Sequence, residues 1–458
     1  MQQDAAHAGR PVAMLIRGLH RIYTGGRRFA AAIRRRFTPA GAFVLAGLAL
    51  TVSSADPEQT VGIQVFLVLL AFLALALLSA PFFRGNFALE RQAPRFVTAG
   101  TPFTVRVQIR NLSGRAETGL EYLEELQDPP VTVAEFAARL RPGRENRSFR
   151  LGGPLPPIRA ARTRPTPLPP LPARGQVEIE TPVVAYRRGP LVLAGGWVAR
   201  SDPFGLFRAF RRVPSPHTVL VLPRRYLLPR LALPGAAQYQ RGGVALAAGV
   251  GESEEFVALR EYRRGDSLRR VHWRSSARLG QPIVKEYQDE YFTRHALVLD
   301  THCEAARDAV FEEAVAVAAS FACTVPDQES LLDLLFVGPQ TVCVTSGRGV
   351  GHTQQMLEVL AAVRPCREPR LGELEALVWQ HRGSLSGCLL VLMDWDEPRR
   401  ALVRHLKTLR LPTLAMVLVP HGRAARFDPG PPADQPDRLV VLEAGRIGQD
   451  LLQLEARP

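Results

Sequence analysis

The residues able to do chemistry gather between positions 251 and 304 and again at Asp394. Asp300 and Asp394 each close an apolar run, ALVLD and CLLVLMD, and Glu304 follows shortly after the first. Carboxylate oxygens at strand ends suit a hard divalent ion such as Mg²⁺. A metal-dependent hydrolase built on Asp300, Glu304 and Asp394 is therefore one reading. Gly265-Asp266-Ser267-Leu268 spells the motif of a serine hydrolase class. Such enzymes need a downstream Asp-x-x-His to activate the hydroxyl, and none follows Ser267. His272, beside Trp273, has no nucleophile at interpretable spacing, which favours a packed helical residue over a catalytic base.

Seven arginines run from Arg260 to Arg278, with Tyr262 and Trp273 among them. That pattern would suit a nucleic-acid face, and a membrane-tethered nucleic-acid binder is an alternative. Glu252, Glu254, Glu255, Glu261 and Asp266 offset much of the charge, which favours ion pairing or protein docking and makes nucleic acid an unlikely partner. No glycine-rich loop with a lysine is present, so any nucleotide hydrolysis would belong to a partner. The net charge of +15 adds little, because Lys285 and Lys407 are the only lysines and an arginine skew often reflects coding composition.

These residues must be positioned by folded elements. A chain of 458 residues accommodates two or three domains. Cys303, Cys323, Cys343, Cys366 and Cys388 all lie in the last third, odd in number and without a Cys-x-x-Cys pair, which suits reduced thiols in a cytosolic domain. Residues 1–36 carry eight arginines against Asp4 alone. No charge occurs between Arg36 and Asp56, nor between Glu58 and Arg84, and the second interval is long enough to cross a bilayer as a helix. Arginines on both outer flanks, with Asp56 and Glu58 between, predict a transmembrane hairpin with both ends in the cytoplasm. The sequons at Asn111 and Asn146 would then carry no sugar.

From about Phe87 the period falls to two. Phe103, Val105, Val107 and Ile109 alternate with Thr104, Arg106, Gln108 and Arg110, as in a half-buried antiparallel strand. Further short strands in NRSFRL, QVEIETPVVAY, PLVLAGGWVA and HTVLVLPRR predict a β-sandwich-like domain. The proline-rich stretch 152–175 cannot be a central strand and reads as an exposed loop. Asp202-Pro203 starts a turn. Residues 251–266 read as a charged segment with Phe256, Leu259 and Tyr262 at helical or turn spacing, and Asp266 is placed to cap a helix over SLRRVHWRSSARL that ends at Gly280. After Asp300, strands and helices alternate in a doubly wound α/β pattern, with Asp300 and Asp394 at strand ends; helix capping is the simpler role for Asp300.

The ordered set DPFGLF (202–207), EFVALREYRRGD (255–266), RRVHWRSSAR (269–278) and VKEYQDE (284–290) resembles the bacterial domain of unknown function 58 family. The resemblance implies a membrane-anchored protein with a von Willebrand factor A-like C-terminal domain and a MoxR-type AAA+ ATPase as partner. In von Willebrand factor A domains the first strand ends in Asp-x-Ser-x-Ser, whose oxygens hold Mg²⁺. Here the run is Asp300-Thr301-His302-Cys303-Glu304, so the pattern is broken.

The expected organisation is multidomain. Residues 1–36 form a basic cytoplasmic segment, 37–84 two transmembrane helices, 85–222 the β-sandwich-like domain, 223–292 a central block, and 293–458 the von Willebrand factor A-like domain. The expected function is that of a non-enzymatic adaptor or assembly factor at the inner membrane, acting with the ATPase on protein clients. Arg260, Tyr262, Gly265, Asp266, Arg269, His272, Trp273 and Arg278 would lock the domains together or form the docking face.

Overall fold

The computed structural model describes residues 2–53, 60–127, 140–142, 149–151, 160–229, 233, 238–239, 255–288, 291–303, 308–325, 331–338, 341–346, 350–368 and 370–456. Asp56, Glu58, Asn146, residues 152–159 and Glu304 lie outside them. The chain divides into two units, Met1–Leu222 and Pro223–Pro458.

The first unit opens with three helices, α1 (Gln2–Arg36), α2 (Pro39–Ser53) and α3 (Thr60–Ser79). The span Gly62–Phe82 is uncharged, has a mean hydropathy of 2.7, and is long and apolar enough to cross a membrane. The other apolar helix, α2, has 15 residues, or about 22 Å at the α-helical rise, shorter than a typical hydrocarbon core. The two pack closely at Gly47, where a Cβ would meet the Leu69 side chain at 3.2 Å.

Among the described residues, eleven strands follow in this unit. They are β1 (Phe87–Gln92), β2 (Phe96–Thr98), β3 (Pro102–Asn111), β4 (Leu120–Leu126), β5 (Leu140–Pro142), β6 (Phe149–Leu151), β7 (Ala161–Thr163), β8 (Thr166–Pro167), β9 (Gln176–Ala185), β10 (Gly189–Ser201) and β11 (Arg208–Leu222). One sheet has the order β1-β3-β9-β7, a second β2-β11-β10-β4-β8, and β5 pairs β6 alone. Val105, Val107 and Ile109 of the first sheet and Leu193, Val198 and Val219 of the second enter one shared core. The alternation thus works as period two demands. The proline-rich stretch departs from the expected exposed loop. Its residues 161–163 and 166–167 take edge positions in the two sheets, where proline's missing donor is tolerated, and Leu168 and Leu171 are buried.

The second unit contains the hairpin β13 (Glu255–Glu261) and β14 (Ile283–Gln288), the short helix α4 (Trp273–Leu279), a short pair β12 (Gln238–Tyr239) and β15 (Tyr291–Phe292), and a six-stranded sheet. That sheet is built from β16 (Arg294–Leu299), β17 (Leu331–Val337), β18 (Thr341–Ser346), β19 (Gly387–Leu392), β20 (Thr413–Val419) and β21 (Arg438–Glu443). Its order is β18-β17-β16-β19-β20-β21, parallel except for β18. Numbered within the sheet this is 3-2-1-4-5-6, a doubly wound order whose direction reverses between β16 and β19. The helices are α5 (Asp308–Thr324), α6 (Val350–Ala362), α7 (Leu371–His381), α8 (Glu397–Thr408) and α9 (Ile447–Leu452). Leu374, Leu377, Val378, Leu402, Val403 and Leu406 of α7 and α8 cover one face of the sheet. Strands β17, β19 and β20 are buried throughout, as a sheet covered on both faces requires.

Candidate functional site

Polar side chains come together first in the central block. Residues 255–261 form a strand rather than the helical or turn segment expected from the spacing of their apolar residues, because they pair with 283–288 in the register Arg260↔Val284. The loop after it turns at Gly265, whose φ of +109° favours glycine. There Asp266 closes a clasp. Its oxygens accept from Arg260 Nη1 at 2.7 Å, Arg260 Nη2 at 2.8 Å and the Arg263 backbone N–H at 2.7 Å. The Arg260 guanidinium, followed by the Arg263 amide, holds the Asp266 carboxyl down at about 2.

Asp266 is therefore bonded within its own loop, not a helix cap, and the expected long helix is a 3₁₀ turn at Leu268–Arg270 followed by α4. His272 stands at the start of α4. Its backbone N–H donates to Ile283 O, and its Nδ1 lies 2.7 Å from Ser275 Oγ. Gly280 ends α4 at φ +70°. Of the expected site residues, Arg260, Gly265 and Asp266 thus come together, and Tyr262 and His272 are half-buried. Arg269, Trp273 and Arg278 point outward, with Trp273 71% exposed. Leu268 and Leu279 are similarly open, and Arg263, Arg264 and Arg274 are exposed beside them in sequence.

The second place is the carboxyl end of the six-stranded sheet at its switch point. Asp300 is 1% exposed, and it faces a guanidinium rather than open space. Arg399 Nε donates to Asp300 Oδ2 at 2.7 Å, and Arg399 Nη1 donates to Asp396 Oδ2 at 2.6 Å. The Asp300 carboxylate also accepts from the His302 N–H at 2.9 Å and the Met393 N–H at 3.3 Å. Among the described residues its partners are thus the loops after β16 and β19 together with α8; the start of the helix that Asp300 is expected to cap, residues 304–307, lies outside them. Desolvation pulls the Arg399 affinity for its proton down, but Asp300 and then Asp396 raise it on balance.

This arrangement does not fit a divalent cation at Asp300, since a fixed positive charge already holds the carboxylate. Asp394 accepts from the neighbouring Trp395 N–H at 2.9 Å. Among the described residues no group of three or more His, Cys, Asp or Glu side chains stands ready to hold a metal. The space beside Asp300, lined by His302, Cys366, Glu368 and Arg370, measures about 10 Å³, room for about one water. Arg399 was absent from the expected set. Its signal in sequence was the helix start Asp396-Glu397-Pro398, where Asp396 accepts from the Arg399 N–H.

The third place is the loop 202–207 of the first unit. Asp202 accepts from the backbone N–H groups of Phe204, Leu206 and Phe207 at 2.8–3.1 Å. The loop so fixed meets the apolar helices. Thr38 Oγ1 donates to Gly205 O, the Thr38 N–H donates to Leu206 O at 3.1 Å, and Phe37 and Phe72 pack edge-on against Phe207 and Phe204. A Cβ on Gly41 would lie 2.1 Å from Leu206 O, so only glycine allows this approach. None of the five cysteines is in a disulfide; Cys303 and Cys388 are buried, while Cys343 is exposed.

No curated protein matches the chain. Among solved structures, native alpha-2-macroglobulin from Escherichia coli, in a structure running from domain MG7 to the C-terminus, matches with 12% identity and a TM-score of 0.19, over 34% of this chain and 20% of that one. A cohesin module from Clostridium perfringens ATCC13124 family 33 glycoside hydrolase matches with 13% identity and a TM-score of 0.16, over 30% of this chain and 97% of the module. The chain spans a fifth or less of the macroglobulin chains it matches. Likeness at these scores bears on neither activity nor ligand. Residues 258–405, which hold Arg260, Asp266, Trp273, Asp300, Asp394 and Arg399, match the model of the family described as Protein of unknown function DUF58, and this match supports that family for the chain.

Proposed function

We propose that the chain is a membrane-anchored, non-enzymatic adaptor or assembly factor that works with a MoxR-type AAA+ ATPase on protein clients. The observation that carries the docking role is the outward set on the central block. Trp273, Leu268 and Leu279 are exposed on a hairpin-and-helix frame that Arg260 and Asp266 hold closed. Exposed aromatic and arginine side chains are the residue types that anchor protein interfaces. The ATPase enters from the family resemblance.

In this reading α2 and α3 form a hairpin in the inner membrane, with both termini and the soluble domains cytoplasmic. The apolar span Gly62–Phe82 and the arginine-rich flanks support it. The 3-2-1-4-5-6 strand order with an antiparallel third strand supports a von Willebrand factor A-like domain. The Arg399 guanidinium on Asp300 weighs against the metal-dependent hydrolase.

The test is capture of the full-length protein from membranes in mild detergent with ATP present, followed by mass spectrometry. A specifically retained AAA+ ATPase supports the adaptor reading, and its absence from captures that retain other membrane partners counts against it.

A further inference from the structure

Helix α1 has a use that the anchor alone does not give it. At about 100° per residue, Leu19, Ile22, Gly26, Phe29 and Ile33 follow the spacing 3, 4, 3, 4 and share one side of the helix. Arg17 and Arg21 fall on the opposite side. The apolar row is open. Ile22 is 73% exposed and Phe29 68%, and both arginines are exposed. The end of the helix is held where the Arg35 guanidinium lies 4.5 Å from the Trp197 ring centroid.

The helix then stops and restarts. The Thr38 N–H donates to Leu206 O, outside the helix, and the Ala42 N–H returns to Thr38 O to start α2 behind Pro39. The break at Phe37–Thr38 frees α1 from continuing along the axis of α2. A long helix with one apolar side, one arginine side and a direct covalent link to apolar helices is the pattern of a segment lying in the plane of a bilayer surface.

We propose that α1 lies on the headgroup layer of an anionic lipid leaflet, with Leu19, Ile22 and Phe29 in the acyl boundary and Arg17 and Arg21 on the headgroup side. The inference rests on the reading that α3 enters the bilayer. Two features of the chain choose lipid over a protein partner. The apolar row begins within one helix of the membrane segment, and residues 1–36 carry eight arginines against one acid. Juxtamembrane arginines strengthen attachment to anionic lipid by on the order of fivefold each.

The test uses the full-length protein in lipid nanodiscs, with Cys323, Cys343 and Cys366 replaced by serine and a nitroxide placed in turn at Ile22→Cys, Phe29→Cys, Arg21→Cys and Leu70→Cys. Collision with oxygen and with a water-soluble nickel chelate is then compared in discs of phosphatidylglycerol with phosphatidylcholine and of phosphatidylcholine alone. In the anionic discs, labels at 22 and 29 should favour oxygen and the label at 21 should favour nickel. Arg17→Gln should lower the ratio of immersed to free helix about fivefold. Labels at 22 and 29 that meet nickel freely, or that are shielded from both reagents as a protein cover would shield them, overturn the proposal. So does immersion that ignores both lipid charge and Arg17→Gln. The label at Leu70 separates the two readings. If it too meets nickel, the anchor itself fails; if it favours oxygen while 22 and 29 do not, only the surface helix fails.

Discussion

Arg399 sets its Nε 2.7 Å from Oδ2 of Asp300, and the two side chains are 3% and 1% exposed. Together with Asp396 they form a closed ionic group at the switch point of the sheet, where doubly wound proteins usually keep ligand space. Removing one member of a buried pair leaves the other charge unpaired. Arg399→Ala should therefore cost about 3–5 kcal/mol of stability, read by chemical denaturation. Magnesium and a chelator should leave the melting of the wild-type protein unchanged in calorimetry. A clear rise with magnesium would mean that a cation displaces the guanidinium.

Trp273 is exposed, so Trp273→Ala should change stability by no more than about 0.5 kcal/mol. Capture of the ATPase should nonetheless fall sharply, since an exposed aromatic anchor is lost. Equal capture by the folded variant would remove this surface from the docking role.

The clasp at Asp266 makes a pH prediction whose sign is fixed. Its folded carboxyl titrates at about 2, below the unfolded range of about 4. The stabilisation it gives is complete above about pH 4 and is lost as pH falls towards 2. Amide exchange in the 255–288 hairpin, compared between wild type and Asp266→Asn, should show the difference at neutral pH and lose it near pH 2.

In the first unit, Gly41→Ala should separate the loop 202–207 from α2, because a methyl at that position meets the Leu206 carbonyl oxygen. Limited proteolysis in detergent should cut near 202–207 faster than in the wild type. Asp202→Ala should have the same effect, with a cost on the order of 2 kcal/mol for the lost backbone acceptor.

The sequence made some of this readable and hid the rest for physical reasons. The alternation around Val105 and Val107 is a local signal, and so is the uncharged run of α3. The strand at 255–261 was hidden because Phe256, Leu259 and Tyr262 fall at helical or turn spacing, and its pairing partner lies more than twenty residues away. The β-strands at 161–163 and 166–167 were hidden by the prolines in and around them, which exclude a central strand but permit an edge. Arg399 could be placed at a helix start from Asp396 and Pro398. Its bond to Asp300 spans ninety-nine residues and exists only once the sheet has formed.

Loop 202–207 holds both apolar helices, α2 through Thr38 and Gly41 and α3 through Phe72. Helices in a bilayer change their tilt when its thickness changes. One short loop, bonded internally by Asp202, thus touches both apolar helices and continues directly into β10 on one side and β11 on the other, so any change in the angle of these helices meets the second sheet at a joint of six residues.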